Sequence, residues 1–188
     1  MNASLQRLIE LVPPPFNPVA PGTPEEWSQV ENEIGSPLPQ DFKDYIKVYG
    51  AGQWLSFFGV MNPFYEWKHP QARVGWREWM INRIGHLNEV GEVNKVYHAP
   101  FKAYPVSGGL LAFGYDDNGG TLCWQTSGEP NQWPIVCLDG KTSDEYDTFR
   151  LSLSEFLTDV VGEKISPATF APDLFPAGKP VFRPYKNE

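Results

Sequence analysis

The acidic pair Asp116 and Asp117, followed directly by Asn118, is where side chains could do chemistry together. Two carboxylates beside an amide can bind a cation, or act as an acid and base couple, if a third group converges on them. The same Asp-Asp-Asn-Gly-Gly run lies between two predicted strands and has the composition of a hairpin turn. Because a turn explains every residue without a ligand, we expect a turn here.

The histidines do not suggest a catalytic or metal site. His69, His86 and His98 form neither an HExxH motif nor a pair four residues apart, so we interpret each as a surface or packing residue. The sequence also lacks the Gly-x-Ser-x-Gly elbow of a serine hydrolase. We therefore expect no enzyme, no cofactor and no metal. A hydrolase that uses Asp116, Asp117 and one of the histidines is the catalytic alternative.

The charge is concentrated in one segment. The chain has 188 residues and a net charge of −8, from 23 acids and 15 bases. Residues 111–163 hold ten of the acids and two of the bases, so this segment alone sums to −8 and the rest cancels. Nucleic-acid surfaces need clustered Lys and Arg, so the predicted partner is a basic protein and not a nucleic acid. A solvated acidic face that aids solubility is the alternative.

Hydrophobic content and cysteine usage predict a single cytoplasmic domain. Hydrophobic residues make up 41% of the chain, which is enough for one sizeable core. The sequence has no apolar run of 18 residues, and its first residues lack the features of a signal peptide, so we expect no membrane contact. Cys123 and Cys137 are too few for a disulfide framework and are predicted to be buried thiols.

Helix signals dominate the first 50 residues. A short opening helix with Leu5 and Leu8 on its apolar face should end at the prolines 13–15. A second helix should start at the Thr23 capping box and close at Gly35, and a third should end at Gly50. This helical pair carries six acids and two lysines, so we exclude a DNA-binding helix-turn-helix.

Short apolar segments separated by turn residues predict a sheet in the second part of the chain. We expect a strand at 54–60, a helix at about 71–84, an antiparallel meander, a further strand, and a last helix capped by Ser154. The meander strands are predicted at 110–115, 121–125 and 133–138, and the further strand at 146–151. The expected organisation is an N-terminal helix and linker (1–22), a central domain (23–163) and a proline-rich arm (164–188) that either packs on the body or is mobile.

The run from Trp27 to Gly50 resembles the opening motif of the SUKH superfamily, the SMI/KNR-like domains. That motif joins a helix with an acidic residue to a Leu-Pro turn and a second helix that ends in glycine. The resemblance extends over about residues 23–162 and implies an α+β fold with a central, largely antiparallel sheet flanked by helices. The residues that carry the structural motif are Trp27, Glu31, Gly35, Leu38, Pro39, Tyr45 and Gly50.

The resemblance also implies a role in protein binding. Bacterial domains of this kind are commonly immunity proteins, which neutralise toxins, many of them nucleases, by occluding them. We therefore expect a basic cognate toxin as partner, with a regulatory or scaffolding domain of the same fold as the alternative. The predicted contact residues are Asp116, Asp117, Asn118, Trp124, Asp144, Glu145 and Asp147.

Overall fold

The structure is a computed structural model that describes residues 2–66, 75–94, 101–140, 146–170 and 182–186. Within these ranges the chain forms five α-helices, one 3-10 turn and a sheet of seven strands. The helices are α1 (Ala3–Leu11), α2 (Pro24–Ile34), α3 (Gln40–Tyr49), α4 (Trp76–Asn94) and α5 (Leu153–Val161), and the 3-10 turn is Pro130–Gln132. The strands are β1 (Gly52–Trp54), β2 (Phe58–Val60), β3 (Leu110–Asp116), β4 (Thr121–Gln125), β5 (Ile135–Leu138), β6 (Tyr146–Phe149) and β7 (Phe182–Pro184).

All neighbouring strands of the sheet are antiparallel, in the order β6-β5-β4-β3-β2-β1-β7. The predicted α+β fold is therefore confirmed. Phe113 and Trp124 lie in the large core beneath α1, α2, α3 and α5, whereas Ala112 and Cys123 lie in a smaller core with Ile84 of α4. Successive side chains along a strand point to opposite faces of the sheet, so both faces are apolar and helices pack on both. No helix in the described part of the chain is long and apolar enough to cross a membrane.

The helical first part of the chain follows the sequence closely. Thr23 and Glu26 form the predicted capping box, and α2 ends where Gly35 takes the left-handed conformation with φ +82°. The opening helix α1 ends before Pro13, and its Leu5 and Leu8 are fully buried in the large core. The opening helix therefore belongs to the same core as the sheet.

The single strand predicted at 54–60 is wrong, because the structure has a β1–β2 hairpin there. The chain turns at Leu55 and Ser56, whose φ angles are +52° and +54°, and the Phe57 amide donates to the Trp54 carbonyl at 2.9 Å. Two successive positive φ angles match the right-handed twist of the flanking strands. Such turns usually carry Asn or Gly, so a Leu-Ser pair does not indicate a turn in the sequence.

Two predicted helix boundaries also differ from the structure. The last helix is capped by Ser152 instead of Ser154, because Glu155 completes the capping box by accepting from the Ser152 amide at 2.9 Å. The helix predicted at about 71–84 corresponds to α4, which continues to Asn94 since Leu87 extends the apolar stripe that packs on the sheet. Residues 71–74 lie outside the described ranges.

The two cysteines lie on neighbouring strands but on opposite faces of the sheet. Cys137 is in register with Leu122, and Cys123 is in register with Val136. Burial raises the pKa of both thiols. Each is therefore a small buried hydrophobe, as predicted, and the sheet itself separates the two sulfurs.

The proline-rich arm contributes a strand to the sheet at residues 182–184. β7 pairs with β1, and the Phe182 ring lies 5.0 Å from the Trp54 ring, centroid to centroid. Gly52 makes this contact possible, because a Cβ there would lie 2.3 Å from the Phe182 ring. In this part the arm packs on the body of the protein.

Candidate partner-binding surfaces

The corner between α2 and α3 is held together by the Glu31 carboxylate. Its Oε1 accepts a hydrogen bond from the Leu38 amide at 2.9 Å and from Lys43 Nζ at 2.8 Å. The Gly35 amide donates to the Glu31 carbonyl at 2.9 Å, and buried Pro39 leads directly into α3. The acidic residue of the motif thus satisfies the backbone of the Leu-Pro turn and pairs with the next helix.

Tyr45 connects α3 to the sheet. Its hydroxyl accepts a hydrogen bond from Trp54 Nε1 at 2.9 Å, and its ring stacks on Tyr49 with centroids 5.3 Å apart. The Tyr49 hydroxyl in turn donates to the Val12 carbonyl at 2.7 Å. Burial raises the pKa of both tyrosines, so they stay neutral and serve as hydrogen-bonded core residues.

Gly50 and Trp27 complete the motif by close packing. Gly50 has φ +69°, and a Cβ on it would lie 2.4 Å from the Val19 carbonyl oxygen, so only glycine fits without a backbone shift. The half-buried Trp27 ring packs edge-to-face on Phe42 at 5.6 Å and on Phe64 at 4.7 Å, centroid to centroid. Every motif residue predicted from the sequence therefore has a structural contact.

The family model described as SMI1-KNR4 cell-wall (SUKH_6) matches residues 24–157, which includes this helical corner and the meander. The chain belongs to the SUKH superfamily. No curated protein matches the chain. The matched range covers α2 through the first half of α5, and α1 and β7 lie outside it.

The acidic end of this SUKH domain is the sheet end that carries Asp116, Asp117, Asp139 and Asp147. Asp116 and Asp117 belong to the β3–β4 turn, Asp139 follows β5, and Asp147 lies near the start of β6. The β1–β2 turn is at the same end, since the Asp117 amide donates to the Phe57 carbonyl at 2.9 Å. The antiparallel order therefore gathers acids that are far apart in sequence.

Asp116 is a turn residue, as the sequence predicts. Its side chain is 4% exposed, and its Oδ1 accepts hydrogen bonds from the amides of Asn118 and Gly120, both at 2.9 Å. Burial raises the pKa of Asp116, and the negative charges of Asp139 and Asp117 raise it further, while the two turn amides act in the opposite direction. The buried Asp116 side chain therefore stabilises the turn through these two hydrogen bonds.

The tip of this turn is accessible. Asp117 and Asn118 are exposed, and the Asp117 carboxylate accepts hydrogen bonds from Gln53 Nε2 at 3.1 and 3.3 Å. The neighbouring protein atoms keep part of the water away from the Asp117 carboxylate, and this desolvation raises its pKa, while the hydrogen bond from Gln53 acts in the opposite direction. Arg83 of α4 reaches the same turn and donates to the Gly119 carbonyl at 2.9 Å. One cation therefore lies beside the acids and offsets part of their charge.

The other predicted contact residues divide into three cases. Trp124 is 2% exposed and packs between Phe42 and Phe113. Trp124 and Asp116 therefore both have almost no surface for a partner, and the predicted contact role of each is corrected. Asp147 is half-buried, and its carboxylate accepts from the Ala168 amide at 2.6 Å. The predicted contacts Asp144 and Glu145 lie outside the described residues.

The structure reveals one carboxylate that sequence reasoning missed. Asp41 is 8% exposed and binds both Asn2, which caps α1, and Ser154 in the first turn of α5. An aspartate in the first turn of a helix is common, because it interacts favourably with the helix dipole. The sequence therefore gives no sign that Asp41 is buried, and its partners are distant in the chain.

The catalytic alternative concerns Asp116, Asp117 and the three histidines. Among the described residues, no three His, Cys, Asp or Glu side chains gather closely enough to hold a metal ion. His86 is exposed on α4, while His69 and His98 lie outside the described ranges. The Asp116 oxygen that accepts two turn amides is committed to the turn.

Proposed function

We propose that this protein is a cytoplasmic immunity protein, which has no catalytic activity and neutralises a cognate toxin by covering it. Membership of the SUKH superfamily supports a protein partner. The toxin we propose is basic, and a nuclease fits best, because an enzyme that acts on nucleic acid needs a cleft rich in Lys and Arg.

The observation that carries the proposal is the charge of the acidic end. Asp117 and Asp147 are held by the Gln53 side-chain amide and the Ala168 backbone amide, which are neutral donors. A neutral donor orients a carboxylate but leaves its negative charge in place. Burial raises the pKa of Asp116, and the negative charges of Asp139 and Asp117 raise it further, in agreement with repulsion among these carboxylates. A basic partner would relieve that repulsion.

A complementary pair of charged surfaces acts mainly on the association rate, because long-range attraction steers the two proteins together. Exposed Asp117 and Asn118 would meet the partner, and Gln53 would hold the Asp117 carboxylate in place during the encounter. Occlusion of a nuclease cleft needs no chemistry from the immunity protein.

The description of the matching family, SMI1-KNR4 cell-wall, favours a second candidate. In that case the domain is a regulatory or scaffolding module with a partner that is not a toxin. The acidic end would still bind a basic surface. The two candidates differ in one result, since only an immunity protein restores growth to cells that express a toxin.

The test is co-expression with the product of a neighbouring toxin-like reading frame, followed by purification of the complex. We expect restored growth, a stable complex and an association rate that falls steeply with salt. Raising the ionic strength from about 0.01 M to about 1 M shortens the screening length from about 30 Å to about 3 Å. A complex without growth rescue would support the regulatory candidate, and an association rate indifferent to salt would overturn acidic steering.

A matched pair of charge reversals localises the effect. Asp117→Lys changes an exposed acid at the acidic end, and Glu163→Lys makes the same change at an exposed acid just after α5. We expect the first variant to slow association about tenfold or more, within the range of electrostatic steering, and the second to change it little. Equal effects would show that net charge, and not the acidic end, attracts the partner.

A further inference from the structure

The two outermost strands of the sheet differ in how their outer edges are closed. Among the described strands, β6 pairs only with β5, and β7 pairs only with β1. An edge strand directs about half of its backbone amides and carbonyls away from the sheet, where they can pair with another chain. The hydrogen bonds of the neighbouring strands determine which residues these are.

In β6 the outward-facing backbone groups belong to Tyr146 and Thr148. The Gln125 amide donates to the Pro134 carbonyl at 3.0 Å, so along β5 the residues 136 and 138 also face β4, and the residues 135 and 137 face β6. Residues 135 and 137 lie opposite residues 149 and 147, which therefore face inward. Tyr146 and Thr148 alternate with them, face away from the sheet, and are both exposed.

Proline closes the outer edge of β7. The Tyr185 amide donates to the Ala51 carbonyl at 3.0 Å, so residue 183 also faces β1 and Pro184 faces outward. Proline has no amide hydrogen, and at the outward position of an edge strand it removes a donor that an added chain would need. β6 has no proline at either outward position. It is therefore the better edge for strand addition.

The side chains of β6 define what an added strand should carry. Tyr146 is 43% exposed and packs edge-to-face on Phe101, with ring centroids 5.0 Å apart, so an apolar residue fits opposite it. Asp147 points to the other face of the sheet, and its carboxylate accepts only a neutral donor, the Ala168 amide, at 2.6 Å. Lys or Arg fits opposite Asp147. Because side chains alternate along a strand, the matching segment alternates apolar and basic residues.

A second copy of this chain fits the β6 edge less well than a basic segment does. Each copy has a net charge of −8, and residues 111–163, which include β6, sum to the same value. Two copies would therefore repel each other, whereas a basic segment would be attracted. Arg150 follows β6 at the end away from the acidic end. The attraction for a basic residue is therefore strongest at the start of the strand.

We propose that β6 accepts an extended segment of the basic partner as a further antiparallel strand, with an apolar residue opposite Tyr146 and Lys or Arg opposite Asp147. Strand addition is a recurring mode of peptide recognition, in which backbone hydrogen bonds supply affinity and alternate side chains supply specificity. This inference deepens the proposed function and rests on its basic protein partner. It identifies the element of the domain to which that partner binds.

The test uses the full-length protein and the peptide acetyl-Lys-Val-Lys-Val-Lys-Val-amide, with hydrogen exchange of assigned backbone amides as the readout. At saturating peptide we expect the Tyr146 and Thr148 amides to exchange at least tenfold more slowly, while exchange of the Phe182 amide in β7 is unchanged. The peptide acetyl-Glu-Val-Glu-Val-Glu-Val-amide should bind at least tenfold more weakly. No protection at β6, or equal protection by both peptides, would overturn the proposal.

Backbone methylation of the peptide separates strand addition from simple charge attraction. In antiparallel pairing the valines lie opposite Tyr146 and Thr148 and direct their amides towards β6, while the lysine amides face away. The peptide with N-methylated valines should therefore bind at least tenfold more weakly, and the peptide with N-methylated lysines should bind like the unmodified one. Equal binding of the two methylated peptides would mean that no backbone ladder forms.

Thr148→Pro makes the equivalent change in the protein. An edge strand tolerates proline at an outward position, so the melting temperature should stay close to that of the parent while peptide binding weakens at least tenfold. Thr148→Val keeps the amide and, as the matched control, should bind like the parent. Unchanged binding by Thr148→Pro would contradict the proposal. A dimer of the free protein that Thr148→Pro dissociates would also contradict it, because the edge would then belong to a second copy.

This proposal and the immunity role fail separately. If the lysine peptide does not bind but the intact protein restores growth to cells that express the toxin, strand addition is wrong and the immunity role stands. If the peptide protects the β6 amides but growth is not restored, strand addition stands and the partner is a basic protein other than a toxin.

Discussion

The Asp41 carboxylate accepts two hydrogen bonds from Ser154, one from the amide to Oδ2 at 2.6 Å and one from the hydroxyl to Oδ1 at 2.8 Å. The same Oδ1 accepts from Asn2 Nδ2 at 2.5 Å. The starts of α1, α3 and α5 therefore meet at one buried negative charge. Charge-assisted hydrogen bonds are stronger than neutral ones, and the position favours an anion because three helix starts face it.

Removing this carboxylate should destabilise the fold. We expect Asp41→Ala to lower the free energy of unfolding by about 2–3 kcal/mol, since hydrogen bonds to a charged group are lost and the Ser154 amide is left buried without an acceptor. Urea denaturation measures the change. Combined with Ser154→Ala, the loss should be less than additive by about 1 kcal/mol. Strictly additive losses would mean that the two side chains do not interact.

Asp116 should respond to mutation as a turn residue. Asp116→Asn keeps an Oδ1 acceptor for the Asn118 and Gly120 amides and removes the cost of burying a charge. We expect its free energy of unfolding at neutral pH to equal or exceed that of the parent, whereas Asp116→Ala should lose about 1–2 kcal/mol because both amides lose their acceptor. If asparagine is as damaging as alanine, the carboxylate has a role other than the turn.

The stability contribution of Asp116 should also depend on pH. Its pKa is raised in the folded state, so the folded protein binds this proton more readily than the unfolded chain does. Its contribution to stability therefore falls as the pH rises from the ordinary aspartate value through the raised one. Over this range the parent should lose more stability than Asp116→Asn. Parallel stability curves for the two proteins would contradict the raised pKa.

The packing of β7 can be disrupted at a single glycine. In Gly52→Val the new side chain would collide with the Phe182 ring and displace β7 from β1. We expect the Tyr185 amide, which donates to the Ala51 carbonyl at 3.0 Å, to exchange with solvent at least tenfold faster. The amides of β4 should stay protected. Unchanged exchange at Tyr185 would mean that β7 does not depend on this contact.

Gly85→Ala is the matched control, because a Cβ at Gly85 meets nothing within 4 Å and the residue lies inside α4. Alanine is a better helix former than glycine by up to about 1 kcal/mol. We expect this variant to be slightly more stable than the parent and to leave the exchange of the Tyr185 amide unchanged.

The two thiols should be inert in the folded protein. Both are fully buried, and burial raises the pKa of each, so neither forms the reactive thiolate at neutral pH. We expect a maleimide reagent to modify Cys123 and Cys137 only after unfolding, and an oxidant to form no intramolecular disulfide in the native state. Rapid modification under native conditions would show that the strands open locally.

Local chemistry explains which elements the sequence could predict. The Thr23 capping box and the left-handed Gly35 are decided within a few residues, so α2 was predicted at its observed boundaries. The Leu55-Ser56 turn was missed because its positive φ angles are imposed by the pairing of β1 with β2 and not by residue type. Ser152 and Ser154 are equivalent candidates for the helix cap by residue type. The capping box with Glu155 decides in favour of Ser152.

The candidate site was predictable only in part, for a related reason. The composition indicated an acidic segment and the Asp-Asp-Asn-Gly-Gly run indicated a turn, and both describe the acidic end. Whether a given side chain points inward depends on strand register, which placed Asp116 and Trp124 in the interior. The burial and pairing of Asp41 depend on Ser154 of α5, which lies 113 residues further along the chain. No local pattern contains that information.

The position of β7 has a consequence for the order of folding. The strands from β1 to β6 are neighbours in the sheet in the same order as in the chain, so each can pair with the preceding one soon after synthesis. β7 is made after α5, yet it pairs with β1 at the far edge, and this is the pairing with the longest loop to close. During synthesis the edge of β1 is therefore unpaired, and accessible to other strands, until residues 182–184 have been made and pair with it.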